Sequence, residues 1–121
     1  MKVWELGEFG LIELIAKTVG TCSRSDLVLG IGDDTAAWRS EKSKSVQLAT
    51  TDILIQDVHF TLNSATWREL GWKALAVNIS DIAAMGGTPS FALVSLGLPP
   101  ETEVNNGIEL YRGMKGLAEK F

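Results

Sequence analysis

The stretch TWRELGWKALAVNISDIAAMGGTP, residues 66–89, contains the clearest structural signals in the sequence. It begins with a capping box, because Thr66 and Glu69 have the spacing at which each side chain bonds a free backbone N–H of the first helical turn. It ends on two glycines, which favour a left-handed helix end, and Pro89 prevents the helix from continuing. The sequence therefore predicts one long helix from Thr66 to about Met85.

The segments on either side of this helix follow other patterns. Residues 91–98 (FALVSLGL) are uncharged and largely apolar, which is typical of a buried strand, and a last helix is predicted at about 101–120. Residues 46–55 have the composition and alternation of a strand. Residues 28–38 are predicted to form a turn that leads into a strand, and apolar residues at helical spacing predict a helix near 9–18.

The predicted order is helix, strand, strand, helix, strand, helix, with a charged hairpin loop (RSEKSKS) at residues 39–45. Mixed elements of this kind indicate an α+β domain, with a small mixed sheet covered on one face by helices. A sheet of about three strands has edges to protect. We therefore expect a further strand or a second copy of the chain to cover an edge, and a single domain over residues 1–121.

Composition excludes several classes of protein. The 121 residues include 11 Lys and Arg against 15 Asp and Glu, a net charge of −4. An acidic chain without a basic block is not expected to bind nucleic acid or an anionic membrane. A single cysteine, Cys22, excludes a disulfide framework and a cysteine-based zinc site within one chain. The uncharged run at 82–100 is broken by Gly and Pro, so we predict no membrane span and no signal peptide, and hence a reducing compartment.

Three aspartates are the main candidates for functional residues in the sequence. Asp34 follows a Gly-Ile-Gly-Asp turn, Asp52 follows Thr50 and Thr51 on a predicted strand, and Asp81 lies in an otherwise apolar helix without a basic residue at i±3 or i±4. Like charges 4 Å apart repel by roughly 4 kcal/mol at an effective dielectric constant of 20. If the three carboxylates converge, a cation must lie between them, and oxygen ligands favour Mg²⁺ over zinc.

From the residues alone, a second interpretation stays open. Asp34 would then be a turn residue, Asp52 a strand-end cap and Asp81 a local hydrogen-bonding residue. His59, the single histidine of the chain, is either a structural residue or a ligand contact, and Lys73 is expected on the solvated side of its helix. A dinucleotide-binding glycine motif and a P-loop are both absent from the sequence.

Four ordered motifs resemble one family. They are GEFGLI (7–12), GIGDDTA (30–36), TTDILIQDVHF (50–60) and KALAVNISDIAAMGGTP (73–89). Together they resemble the N-terminal domain of thiamine-monophosphate kinases, within the superfamily of aminoimidazole ribonucleotide synthetase and selenophosphate synthetase. The resemblance covers about residues 7–121. It implies the N-terminal fold of that superfamily and a dimer formed through the sheet.

The resemblance also implies an activity and the residues that support it. The activity is the ATP-dependent phosphorylation of thiamine phosphate to thiamine diphosphate in the cytoplasm. The implied Mg²⁺ ligands are Asp34, Thr50, Thr51, Asp52 and Asp81. His59 is implied to contact thiamine phosphate, whereas Asp33 is not expected to be a direct ligand. No residue is assigned as a general base.

The length of the chain departs from that of the family. Thiamine-monophosphate kinases are more than twice as long, and their Gly-Gly-Asp motif and C-terminal domain have no counterpart in residues 1–121. We therefore expect this chain to be a truncated N-terminal domain of the ATP- and Mg²⁺-binding type, inactive alone. The alternatives are a non-catalytic dimerisation or metal-binding module, and another ATP-dependent enzyme of the superfamily.

Overall fold

The structure, a computed structural model, describes residues 3–19, 25–40 and 45–121. The chain divides into two compact units, Met1–Thr50 and Thr51–Phe121. Helices and a small sheet are both present, which confirms the predicted α+β class. The single domain expected over the whole chain stays a prediction. Cys22 and most of the predicted charged loop lie outside the described residues.

The first unit combines one helix with a three-stranded sheet. Its elements are α1 (Val3–Val19), β1 (Leu27–Leu29), β2 (Ala36–Arg39) and β3 (Val46–Ala49). Helix α1 is interrupted at Gly7, whose φ of 73° is left-handed, so the part after Gly7 corresponds to the predicted helix. The strand order is β1-β2-β3, and both pairings are antiparallel. The sheet is therefore small, as predicted, but its described strands are all antiparallel and not mixed.

Strand β3 is shorter than the pattern at residues 46–55 predicts. The β2–β3 ladder runs from the pair Arg39 and Val46 to the pair Ala36 and Ala49. Ala36 is the first residue of β2, so the ladder between the two strands ends at this pair. A strand needs a neighbour for its N–H and C=O groups, and the prediction was wrong where that neighbour ends.

In the second unit, helix α2 (Trp67–Ala84) has both of its predicted ends. The Thr66 hydroxyl accepts the Glu69 N–H at 3.2 Å, and the Glu69 carboxylate accepts the Thr66 N–H at 2.8 Å, which completes the capping box. The Thr66 backbone and hydroxyl donors lower the pKa of Glu69 below its ordinary value. At the other end Gly86 has a φ of 69°, and the Gly87 N–H bonds the carbonyl of Ile82 at 2.9 Å. This is the Schellman arrangement.

Helix α3 (Val104–Ala118) packs against α2 with almost no space between their backbones. A Cβ atom built on Gly71 of α2 would overlap the carbonyl oxygen of Leu110, and one on Gly113 of α3 would overlap the carbonyl oxygen of Arg68. Only residues without a side chain permit that approach. Leu70, Leu110 and Leu117 are the buried apolar residues beside this contact.

The segment at residues 91–98 differs from the buried strand that its composition predicts. It forms no strand within the described chain, and all eight residues are exposed. The side chains of Phe91 and Leu93 are fully exposed, at 101% and 103%. No described strand pairs with this segment, so its backbone has no ladder to join. The prediction of a buried strand is therefore wrong for the chain by itself.

The glycine contact between α2 and α3 predicts opposite effects for two similar substitutions. Gly71→Ala should lower the free energy of unfolding by about 3 kcal/mol, because the new methyl group meets backbone that cannot move aside. Gly116→Ala, in the same helix pair but with open space around it, should raise that free energy by about 0.5 kcal/mol. Urea denaturation of both variants measures this. Equal effects of the two substitutions would contradict the close contact.

Candidate functional site

The Gly-Asp-Asp turn in the first unit presents Asp34 to solvent. Gly32 has a φ of 124°, which places the chain in a conformation that side chains rarely adopt. The Asp33 carboxylate accepts the Asp34 N–H at 2.9 Å and so stabilises the turn. Asp33 thus has a structural contact, and the Asp34 carboxylate is exposed at the tip of the turn.

A buried hydroxyl follows this turn. Thr35 is 3% exposed, and its Oγ1 atom has no hydrogen-bond partner among the residues described. An unsatisfied buried hydroxyl costs on the order of 1–3 kcal/mol. The sequence carries no signal for this residue, because threonine after aspartate is ordinary in turns.

The Thr-Thr-Asp motif extends from the end of β3. Thr50 is half-buried, whereas Thr51 and Asp52 are exposed and belong to no helix or strand. The first unit ends at Thr50 and the second begins at Thr51. The motif therefore supplies two hydroxyl groups and one carboxylate from consecutive residues, all of them oxygen donors.

His59 lies in a turn that its imidazole ring stabilises through a hydrogen bond. The Ile55 N–H donates to Nδ1 of His59 at 3.0 Å, and the Ile55 carbonyl accepts the His59 N–H at 2.8 Å. Asp57 has a φ of 62°, a left-handed value that Asp tolerates better than most residues. The Asp57 N–H bonds the Phe60 carbonyl at 2.7 Å, so the turn is held at several points.

Lys73 connects this turn to helix α2. Its Nζ atom donates to the backbone carbonyl of His59 at 2.7 Å. The residue is exposed, as its position in the sequence predicts, but it also forms this contact, which helical periodicity could not indicate. Only the folding of residues 55–60 over α2 brings the two groups together.

Asp81 lies in the last turn of α2 and is half-buried. Its backbone carbonyl accepts the Met85 N–H at 3.3 Å. One turn earlier, the Asn78 side chain donates to the Ala74 carbonyl at 3.0 Å, so Asn78 is bound to its own helix. Asp81 thus lies near the C-terminal end of α2, close to the left-handed Gly86 that follows the helix.

The predicted metal ligands fall in both units. Asp34 and Thr50 belong to the first unit, and Thr51, Asp52 and Asp81 belong to the second. In the part of the chain that the structure describes, no group of three or more His, Cys, Asp or Glu side chains is placed to hold a metal ion. The assignment of these five residues as Mg²⁺ ligands stays a prediction.

A separate charged cluster joins α2 and α3. The Glu109 carboxylate accepts Arg112 Nη1 at 2.5 Å and Arg68 Nε at 2.8 Å. The hydrogen bond from Arg112, and then the one from Arg68, lower the pKa of Glu109 below its ordinary value. Arg68 and Glu109 also line an open pocket at the start of α2. The three charged side chains satisfy one another, so this cluster is a contact between the two helices.

Comparison with known proteins places the chain in a family. The model for AIR synthase related protein, N-terminal domain, matches residues 32–121. The chain belongs to this family. The match begins within the Gly-Asp-Asp turn and includes every residue discussed above as a candidate ligand.

Individual relatives agree with this assignment. The chain is 45% identical over 121 residues to the thiamine-monophosphate kinase of Aquifex aeolicus, covering 100% of this chain and 36% of that protein. It is 41% identical over 116 residues to the thiamine-monophosphate kinase of Bacillus subtilis, covering 96% of this chain and 35% of that protein. The chain thus spans about a third of the length of these curated relatives.

A solved structure shares the fold. The structure described as AaThiL complexed with AMPPCP and TMP matches with a TM-score of 0.82 and 44% sequence identity, covering 98% of this chain and 35% of that chain. This confirms the predicted likeness to the N-terminal domain of the superfamily. None of the helices in the described ranges has the length and apolarity that a membrane crossing requires.

Proposed function

We propose that this chain is the N-terminal part of an enzyme that transfers a phosphoryl group from ATP to thiamine monophosphate, which yields thiamine diphosphate. The observation that carries the proposal is the likeness, at 44% identity over 98% of the chain, to a protein bound to AMPPCP and TMP. Curated relatives at 45% and 41% identity support the same reaction. The four sequence motifs support it independently of the fold.

Magnesium is part of this proposal. The donor set of Asp34, Thr50, Thr51, Asp52 and Asp81 consists of carboxylate and hydroxyl oxygens, which is the chemistry that Mg²⁺ prefers. Asp34 and Asp52 are exposed and therefore accessible to an ion. When bound, Mg²⁺ would neutralise charge on the phosphate groups. These five residues would hold it, and the negative charge of the chain would otherwise repel both substrates.

The phosphoryl acceptor, thiamine monophosphate, determines whether the protein must supply a general base. A phosphate monoester has a second pKa of about 6, so the attacking oxygen of thiamine monophosphate is already largely ionised near pH 7. No side chain has to remove a proton, which agrees with the lack of an assigned general base. The residues of this chain would bind and orient the two substrates and hold the Mg²⁺ that would neutralise phosphate charge. Positioning and electrostatic stabilisation would then provide the rate enhancement.

We assign His59 to the binding of thiamine monophosphate. Its ring is exposed in a turn fixed by hydrogen bonds to Ile55. The second ring nitrogen is therefore already oriented before a ligand binds, which lowers the entropy cost of binding. The hydrogen bond from Ile55 to Nδ1 also gives His59 a structural role. The structural and the ligand-binding interpretations are therefore compatible, because Nδ1 would serve the first and Nε2 the second.

A related proposal concerns assembly and location. We infer that two copies form a homodimer in the cytoplasm, in which the segment at 91–98 becomes a strand of a shared sheet. The support is physical: Phe91 and Leu93 are fully exposed, and β3 is an edge strand of the described sheet. Exposed apolar patches and open edges are covered in most stable proteins.

The kinase proposal predicts a strong effect at the half-buried aspartate. In the longer protein that continues this chain, Asp81→Asn should lower kcat at least about 100-fold, because several kcal/mol of charge stabilisation depend on the metal ligands. Glu101→Gln, which removes a carboxylate outside the motifs, should change kcat by no more than about twofold. Chromatographic detection of thiamine diphosphate measures both rates.

Two results would contradict the proposal. Near-normal turnover of Asp81→Asn would remove this residue from the reaction. The absence of thiamine diphosphate in assays of the longer protein would reject the kinase and favour the alternative, a metal-binding or dimerisation module or another ATP-dependent enzyme. The 121-residue chain alone should form little or no product, since it covers about a third of the relatives.

The dimer proposal predicts a sharp response to a charge at residues 91–98. Leu93→Glu should convert the dimer to a monomer, because the carboxylate would be buried without a partner in the shared sheet. Val104→Glu, at another exposed apolar residue, should leave the dimer intact. Sedimentation velocity over a range of protein concentrations measures the association state. A monomeric parent protein, or equal dissociation of both variants, would reject this interface.

A further inference from the structure

The hydrogen bond between Ile55 and His59 fixes which nitrogen of the imidazole carries a proton. Nδ1 accepts the Ile55 N–H at 3.0 Å, so Nδ1 has a lone pair in this bond and no proton. The neutral ring therefore carries its proton on Nε2. Because the His59 side chain is exposed, the Nε2–H group is a donor open to a ligand.

A side chain of helix α2 also contacts the backbone of this turn. Lys73 Nζ donates to the His59 carbonyl oxygen at 2.7 Å, which ties the residue that carries the ring to helix α2. The turn also includes Asp57 with a φ of 62°, a conformation that is unfavourable for most residues and persists only where surrounding contacts stabilise it. The hydrogen bond from Lys73 to the His59 carbonyl is such a contact, and it comes from α2.

We propose that Lys73 is a positioning residue, which holds the backbone of His59 so that the imidazole stays bonded to Ile55 and offers Nε2–H to a phosphate monoester. This inference rests on the proposed function, in which His59 contacts thiamine monophosphate. It adds a second residue and a defined proton position to that contact.

The chemistry of the pair suits an anionic ligand. Nε2–H is a single directional donor, which can bond one phosphate oxygen. The Lys73 ammonium adds positive charge to the same turn of an otherwise acidic chain, whose net charge is −4. A positive charge beside a fixed donor attracts a phosphate more strongly than a neutral donor alone.

Nuclear magnetic resonance of the chain tests the geometry without substrate. Because the sequence contains one histidine, ¹⁵N labelling gives a single imidazole whose signals need no further assignment. The inference predicts the chemical shifts of an unprotonated, hydrogen-bonded Nδ1 and a scalar coupling between Nδ1 and the Ile55 amide nitrogen. Lys73→Met should abolish the coupling, Lys73→Arg should restore it, and Lys120→Met, at the exposed C-terminal end, should leave it unchanged.

Kinetics of the longer protein test the ligand. Lys73→Met should raise KM for thiamine monophosphate about tenfold and leave KM for ATP within about twofold, because only the contact of His59 with thiamine monophosphate is lost. Lys73→Arg should restore KM for thiamine monophosphate. A change limited to thermal stability, without this selective effect on one substrate, would show that Lys73 is merely structural and would overturn the inference.

The two proposals fail in different ways. If the proposed function is wrong, the parent protein forms no thiamine diphosphate, and the ligand part of the inference falls with it. If the inference is wrong, the parent protein forms thiamine diphosphate, but Lys73→Met keeps the Nδ1 coupling or the original KM. A proton found on Nδ1 would overturn the inference directly. Circular dichroism of each variant confirms that the comparison is between folded proteins.

Discussion

The close backbone contact between α2 and α3 fixes how the two helices of the second unit pack. Gly71 and Gly113 let each helix approach the carbonyl groups of the other, and the few buried leucines lie beside this contact. Helix α2 in turn carries Lys73, which holds the His59 turn, and Asp81 near its end. A shift of α2 would therefore move both candidate ligand-binding features of this unit together.

Local chemistry explains which parts of the fold the sequence could predict. The capping box at Thr66 and Glu69 and the left-handed Gly86 depend on neighbours within four residues, and both are confirmed. The strand at 91–98 and the second half of the strand at 46–55 depend on partners distant in sequence. Apolar composition indicates that a segment should be covered, but it does not say by what.

In the candidate site, too, the sequence predicted local features but not contacts between distant residues. Residue types and motif spacing predicted oxygen donors at Asp34, Asp52 and Asp81, and the structure presents the first two to solvent. Their assignment as ligands of one metal cluster stays a prediction. The contact of Lys73 with His59 could not be predicted, because it joins a helix to a turn 14 residues away through a backbone carbonyl. Side-chain patterns carry no information about such an acceptor.

We propose that this acidic protein binds two anionic substrates through Mg²⁺ held by its own carboxylates. The most direct measurement is isothermal titration calorimetry of AMPPCP into the longer protein, with Mg²⁺ or with EDTA. Saturable binding is expected with Mg²⁺, and EDTA should abolish it because the carboxylates then repel the nucleotide without a cation between them. Asp52→Asn should weaken binding, because a neutral amide holds Mg²⁺ less well than a carboxylate. Equal affinity for AMPPCP with and without divalent ions would contradict it.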